Sequence, residues 1–246
     1  EKSGVLAGPI TRRSVVQIHL PLFIYIFKLR LLSLKMKVLG IDEAGRGPVI
    51  GAMIMAGVMI NEGEEHLLEG SKDSKMLAHS VRLELDKKIK KSTKYKIIEV
   101  SPEEIDDALA NPDMNLNWLE AHKQAELINT LRPDKAIIDC PSPNLAAFEA
   151  YVRNLLDNKK IELLVEHKAD EKYITSSAAS ILAKVRREEI VSEIKEKYGN
   201  IGSGYPSDPN TKKFIAENWD KHPEIFRKSW STYKKVVKDK DQKKLF

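Results

Sequence analysis

Asp42 and Glu43 stand side by side at the end of a short apolar run, Val38-Leu39-Gly40-Ile41, and Ala44-Gly45-Arg46-Gly47-Pro48 follows at once. Adjacent carboxylates raise one another's pKa unless a cation sits between or near them, so the pair points to a bound metal or a shared proton. Arg46 points to an anion near that cation, and a metal-bound phosphate meets both demands. Gly45 and Gly47 let the backbone approach a ligand where any side chain would collide. An exposed acidic turn behind an edge strand is the plainer use of an Asp-Glu pair, and the Gly-Arg-Gly-Pro that follows is what turns the reading toward chemistry. Asp139 repeats the arrangement by closing a second apolar run, Lys135-Ala136-Ile137-Ile138, and Asp170 stands before a long helical pattern. Taken alone, each of these two aspartates could simply cap the helix that follows it.

Periodicity predicts the elements that must place these groups. Residues 37–42 read as a buried strand and 52–60 as a second, near enough to pair as a hairpin through the Gly-Arg-Gly-Pro loop. A helix over 78–91 and a strand over 95–100 follow, and Ser101-Pro102 signals a further helix start. The pattern continues with a helix over 118–131, a strand over 135–139, a helix over 143–156, a strand over 161–167 and a long helix over about 176–198. Strands 37–42 and 135–139, placed side by side and parallel, bring Asp42 and Asp139 to one sheet edge, where open α/β sheets bind ligands. In the long helix Ile181, Leu182, Val185, Ile190, Val191 and Ile194 are expected to face the sheet, and the small residues at 176–180 to allow close packing. Lys184 and Arg187 share the opposite face, fit for phosphates or for pairing with Glu188. Tyr205, between Gly204 and Pro206, serves neither helix nor strand, and Asp208-Pro209 starts another helix. Residues 228–241 read as a basic amphipathic helix with Trp230 and Tyr233 on its apolar side.

With 246 residues and 42% apolar content the chain can bury a sizeable core, and one domain is favoured over two. Its single cysteine, Cys140, excludes an internal disulfide and suits a reducing, cytoplasmic setting. The formal charge of +5 lies wholly in residues 1–35, with six basic residues against one acidic, so the remainder is neutral. Distribution matters more. Residues 36–180 hold 19 basic and 25 acidic residues and residues 181–246 hold 16 and 10, the layout of an acidic metal centre beside a basic surface that tracks phosphates. Arg12 and Arg13 precede an apolar stretch, Val15 to Phe27, that is too short for a spanning helix and lacks a small-x-small cleavage site. Residues 1–35 are read as a non-native or disordered extension, and no membrane association is expected.

Gly40 to Met53 (GIDEAGRGPVIGAM) resembles the signature of type 2 ribonucleases H, the ribonuclease HII family, especially its single-chain archaeal form. Residues 136–144 (AIIDCPSPN), 165–188 (VEHKADEKYITSSAASILAKVRRE) and 202–211 (GSGYPSDPNT) carry the same resemblance, which reaches from about Met36 to the Lys-Ser-Trp segment at 228–230. It implies an α/β ribonuclease H-like mixed sheet flanked by helices, with a catalytic domain over 36–200 and a helical substrate-binding region and tail over 201–246. It also implies a metal-dependent endoribonuclease that cuts the RNA strand of RNA–DNA hybrids and ribonucleotides embedded in duplex DNA, leaving 3′-hydroxyl and 5′-phosphate ends. Asp42, Glu43, Asp139 and Asp170 would hold two Mg²⁺ ions, with Mn²⁺ able to substitute. Gly45, Arg46 and Gly47 would meet the ribose, and Tyr205 the sugar at the cleavage junction. Lys72, Ser74, Lys75, Lys184 and Arg187 would contact the nucleic-acid backbone. Type 1 enzymes lack adjacent first carboxylates, and the type 3 signature lacks Gly-Arg-Gly. A ribonuclease H-fold phosphatase or recombinase would cut without needing a ribose, and a silent hybrid-binding subunit would bind without cutting. The tail QKKLF resembles the start of a sliding-clamp-binding motif, with Gln242 and Leu245 correctly spaced, although that motif expects aromatic residues beyond the aliphatic one. A monomer is expected.

Overall fold

The hairpin that braces the glycine loop is the centre of the sheet. The computed structural model describes residues 35–72 and 77–243, with side chains as far as residue 240. The expected N-terminal extension therefore lies outside the described residues apart from Lys35, and Lys37–Phe246 is one compact unit. Strand β1 (Lys37–Ala44) pairs antiparallel with β2 (Met53–Asn61), from Lys37 opposite Asn61 to Ala44 opposite Ile54. On the far side β1 pairs parallel with β4 (Lys135–Asp139), Val38 opposite Lys135 and Ile41 opposite Ile138. With β3 (Lys94–Val100) outside β2 and β5 (Glu162–Glu166) outside β4, the order is β3-β2-β1-β4-β5.

Alternation along these strands supplies two apolar faces. Leu39, Ile41, Met53 and Met55 pack with Leu119, Leu127 and Ile128 of α3 (Leu116–Leu131) and with Phe148 and Val152 of α4 (Leu145–Leu155). Ile54, Ala56 and Val58 pack on the other face with Leu85 and Ile89 of α1 (His79–Ser92). There they also meet Ala178, Ile181, Leu182 and Val185 of α6 (Ile174–Tyr198). Each such fully buried aliphatic side chain contributes about 1.5–3 kcal/mol. Helix α2 (Pro102–Ala110) is capped by Ser101, whose side chain accepts from Glu104 N. The small residues of α6 have the expected use: a Cβ built on Gly40 would lie 2.2 Å from Ser176 N, so the helix backbone rests on the middle of β1.

Three of the expected placements are corrected. Asp170 does not open the long helix but lies buried in a one-turn helix of its own, α5 (Ala169–Lys172), and α6 starts at Ile174 with no side-chain cap. Asp139 does not cap α4 either, because Asn144 does, accepting from Ala147 N at 3.0 Å. The plain capping readings of both aspartates are thus removed. Helix α8 (Ser231–Lys243) begins after Trp230, where the sequence pattern put Trp230 inside it. With α7 (Pro209–Asn218) it forms a third apolar cluster in which Tyr233 and Phe226 enclose Val49 and Ile50, the residues just past the glycine loop. An isolated antiparallel bridge joins Ile50 to Phe226.

Candidate active site

Because side chains alternate along β1, its two terminal carboxylates leave on opposite faces. Asp42 shares the α6 side with Gly40 and is hydrogen-bonded to the Ser180 side chain. Burial pushes its pKa well above the usual range, and the charges of Glu43, Asp170 and Asp139 add to the rise. Glu43 turns to the α3 side. Burial pushes it up to about 8, with Glu120 and Asp139 adding to the shift, Arg46 opposing it and Asp170 contributing least.

The parallel register carries Asp139 to the same edge, one step past the Ile41–Ile138 pair. Its Oδ1 accepts from Lys168 N at 2.8 Å, and Lys168 takes a left-handed φ of 57° to present that amide. The turn after β5 thereby delivers Asp170, which is 7% exposed. Among the described residues no three acidic, histidine or cysteine side chains meet at ligating distance on one point, so the four carboxylates are neighbours and not a preformed cage. Their chemistry still fits a divalent cation. All four are hard oxygen donors, and Asp42 and Glu43 are each destabilised as anions by the others, which a shared cation would reverse.

A cleft opens beside this edge, lined by Glu43, Gly45, Arg46, Gly47, Lys184, Arg187 and Tyr205 among others. Gly45 has φ +81°, which favours glycine, and a Cβ there would lie 2.7 Å from Arg187 Cδ, so that the arginine would have to swing aside. At Gly47 a Cβ would come within 3.4 Å of the Tyr205 ring. Tyr205 is 40% exposed, unusual for so large a ring, and the Arg187 guanidinium lies 5.0 Å from its centroid. Arg187 also donates to Ser203 O at 3.1 Å, while Glu188 is taken by His79 and by Arg82 of α1. Lys72 is exposed and outside the cleft lining, next to Ser71, whose carbonyl accepts from Ser177 of α6. Ser74 and Lys75 lie outside the described residues.

Residues 39–233 match the family model described as Ribonuclease HII, a span that holds all four carboxylates, the glycine loop and Tyr205. The chain belongs to the ribonuclease HII family. A ribonuclease HII of Methanococcus maripaludis is 43% identical over 218 residues, covering 85% of this chain and 90% of that one. The crystal structure of the ribonuclease H2 from Pyrococcus horikoshii superposes with a TM-score of 0.76 at 38% identity, over 83% of this chain and 98% of that chain. A ribonuclease HII of Archaeoglobus fulgidus, solved as a complex with PCNA, gives 0.72 at 37% identity, over 81% of this chain and 96% of that chain. As a ribonuclease HII the protein is a hydrolase, an endoribonuclease that cuts RNA in RNA–DNA hybrids, and enzymes of this family depend on a divalent metal.

Asn117, Glu120, Arg227 and Trp230, which surround the glycine loop, were not legible as its partners, and their contacts change the expectation for Arg46. Arg46 does not reach freely into the cleft: its guanidinium donates to Glu120 and, at 2.7 Å, to Asn117 Oδ1, both on α3. The Glu120 carboxyl is fully buried and pushed up to about 7 by that burial, against the pull of Arg46. The i,i+3 spacing of Asn117 and Glu120 on one helix face was the available signal. Arg227 and Trp230, which meet the back of the glycine loop, carried none beyond their place near the Lys-Ser-Trp segment.

Proposed function

We propose that Asp42, Glu43, Asp139 and Asp170 are the metal ligands of this enzyme and that the adjoining cleft reads the ribose of the scissile nucleotide. The observation that carries this reading is the gathering of four carboxylates at one sheet edge, directly beside a loop whose glycines allow close backbone approach. When bound, two Mg²⁺ or Mn²⁺ ions would supply the Lewis acidity and the activated water for hydrolysis to 3′-hydroxyl and 5′-phosphate ends. The chain's own residues orient the ligands: Ser180 holds Asp42, and the Lys168 amide holds Asp139.

Carboxylates and metals alone would hydrolyse any phosphodiester within reach, so discrimination has to come from elsewhere. The 2′-hydroxyl separates RNA from DNA at a given position. Gly45-Arg46-Gly47 offers backbone to that hydroxyl, and Tyr205, exposed beside Gly47, offers a ring to the neighbouring deoxyribose at an RNA-to-DNA junction, including a single ribonucleotide in duplex DNA. Lys184 and Arg187 line the same cleft and suit phosphates, and Lys72, Ser74 and Lys75 are proposed to meet the nucleic-acid backbone. In this reading residues 36–200 form the catalytic part and 201–246 the substrate-binding part of a monomer working in the cytoplasm, where its hybrids are. No helix among the described residues is long and apolar enough to cross a membrane.

The complex with PCNA solved for the Archaeoglobus fulgidus relative supports docking of the QKKLF tail on a sliding clamp. Leu245→Ala should then abolish co-elution with the clamp. The main reading is tested on a duplex with one embedded ribonucleotide, which should be cut with Mg²⁺ and left intact with EDTA. Equal cutting of the all-deoxy duplex overturns it.

A further inference from the structure

Arg227 is fully buried, and among the described residues it makes no ion pair. A buried guanidinium without a carboxylate is costly unless its N–H groups are all spent on good acceptors. Here the acceptors are the glycine loop itself. Nη2 donates to Gly45 O at 2.6 Å, Nη1 to Arg46 O at 2.9 Å, and Nε to Gly51 O at 2.9 Å. The next carbonyl in line, Gly47 O, accepts from the Trp230 indole Nε1 at 3.1 Å, and the Trp230 ring lies 4.9 Å from the Arg227 guanidinium carbon. Backbone bonds lock the same two segments together, from Arg227 N to Val49 O and from Gly51 N to Ile225 O, each at 2.9 Å.

Three consecutive carbonyls are therefore drawn to one side by two side chains from the C-terminal segment. In a trans peptide the C=O and the following N–H point in opposite directions, and the described residues contain no cis bond. Pinning the carbonyls of Gly45 and Arg46 consequently aims the amides of Arg46 and Gly47 away from that segment, as a fixed pair of donors.

We propose that Arg227 and Trp230 are positioning residues for ribose recognition, holding Gly45-Arg46-Gly47 in the one backbone conformation that meets the 2′-hydroxyl. The proposal rests on the reading that this loop senses the ribose. A buried charge is well suited to the task, because the planar guanidinium fork accepts only one arrangement of the Gly45, Arg46 and Gly51 carbonyls, whereas an apolar filler would accept many.

The test uses the full-length enzyme with Arg227→Lys, which keeps the charge and loses the fork, and Trp230→Phe, which keeps a ring and loses the indole N–H. Phosphate contacts set affinity and the loop sets the geometry of the reacting nucleotide. Trp230→Phe is therefore expected to lower kcat at a single embedded ribonucleotide at least tenfold while KM and calorimetric Mg²⁺ affinity stay within twofold. Arg227→Lys should lose more in the same direction. Should Arg227→Lys fail to fold, as judged by its melting curve, Trp230→Phe alone decides. Unchanged kcat in Trp230→Phe, or parallel losses of kcat, KM and Mg²⁺ affinity, would overturn the positioning role. Wild-type cutting of the all-deoxy duplex at a comparable rate would overturn the underlying reading instead, so the two failures are told apart.

Discussion

At the scale of the residue, the proton balance of the carboxylates is the most exposed consequence of the site. Glu43 and Glu120 have pKa values pushed up to about 8 and about 7, above the ordinary glutamate value of 4.5. A carboxyl whose folded pKa is raised contributes stability that is fully present below its unfolded value and is lost as pH climbs through the folded one. In EDTA the melting temperature is therefore expected to fall between about pH 5 and pH 8, and Mg²⁺ to restore more of it at pH 8 than at pH 5. A flat pH profile in calorimetry would contradict the shifts. Asp139→Asn keeps the shape and the acceptor for the Lys168 amide but removes the charge. It should lower the cleavage rate by about 10³, or roughly 4 kcal/mol of barrier, with the fold intact. Cutting within threefold of wild type would show that Asp139 does no more than order the turn at Lys168. Asp42, Glu43 and the glycine loop stood out in advance because strand ends and glycines announce themselves locally, whereas Asp139 and Asp170 were raised above helix caps only by the family resemblance. Glu120 and Arg227 did not stand out, since each acquires its meaning only from a partner 74 or 182 residues away along the chain.

At the scale of the element, the strands and long helices followed from period and composition to within a few residues, whereas the one-turn helix α5 is too short to carry a period and hid the true setting of Asp170. Gly40 shows how tightly the elements are matched. Gly40→Ala would drive a methyl into the backbone of α6 at Ser176 and Thr175, which no side-chain rotation relieves. A loss of about 2–3 kcal/mol or more in denaturant unfolding is expected. The loop carrying Tyr205 is held by Asp208, which accepts from Ser203 N at 2.6 Å and Asn210 N at 2.8 Å, so the ring can be removed without releasing the loop. Tyr205→Ala should slow cleavage at single embedded ribonucleotides more than on long hybrids, where neighbouring riboses make the junction ring dispensable. Equal losses on both substrates would remove Tyr205 from junction recognition.

At the scale of the whole molecule, charge is divided between an acidic sheet edge and a basic C-terminal part. Lys234, Lys235, Lys238 and Lys240 are all exposed on α8. Replacing the first three by glutamine should weaken binding to duplexes of every sequence and flatten the dependence of log K on log salt by about one for each phosphate no longer neutralised. An unchanged salt slope would place the duplex elsewhere. Removal of residues 1–35, which precede the matched family span, should leave both activity and melting temperature nearly unchanged. The bonds from Arg227 to Gly45, Arg46 and Gly51 have a further consequence, one of timing. During synthesis the chain emerges from its N-terminus, and the sheet with its carboxylates can form while the segment around Arg227 and Trp230 is still inside the ribosome. The glycine loop would then lack its clasp until residue 230 has been released. On the proposed reading, selective cutting would thus wait for the release of that segment, so that ribosome-bound chains arrested before Arg227 would carry the carboxylate edge without the ability to choose their substrate.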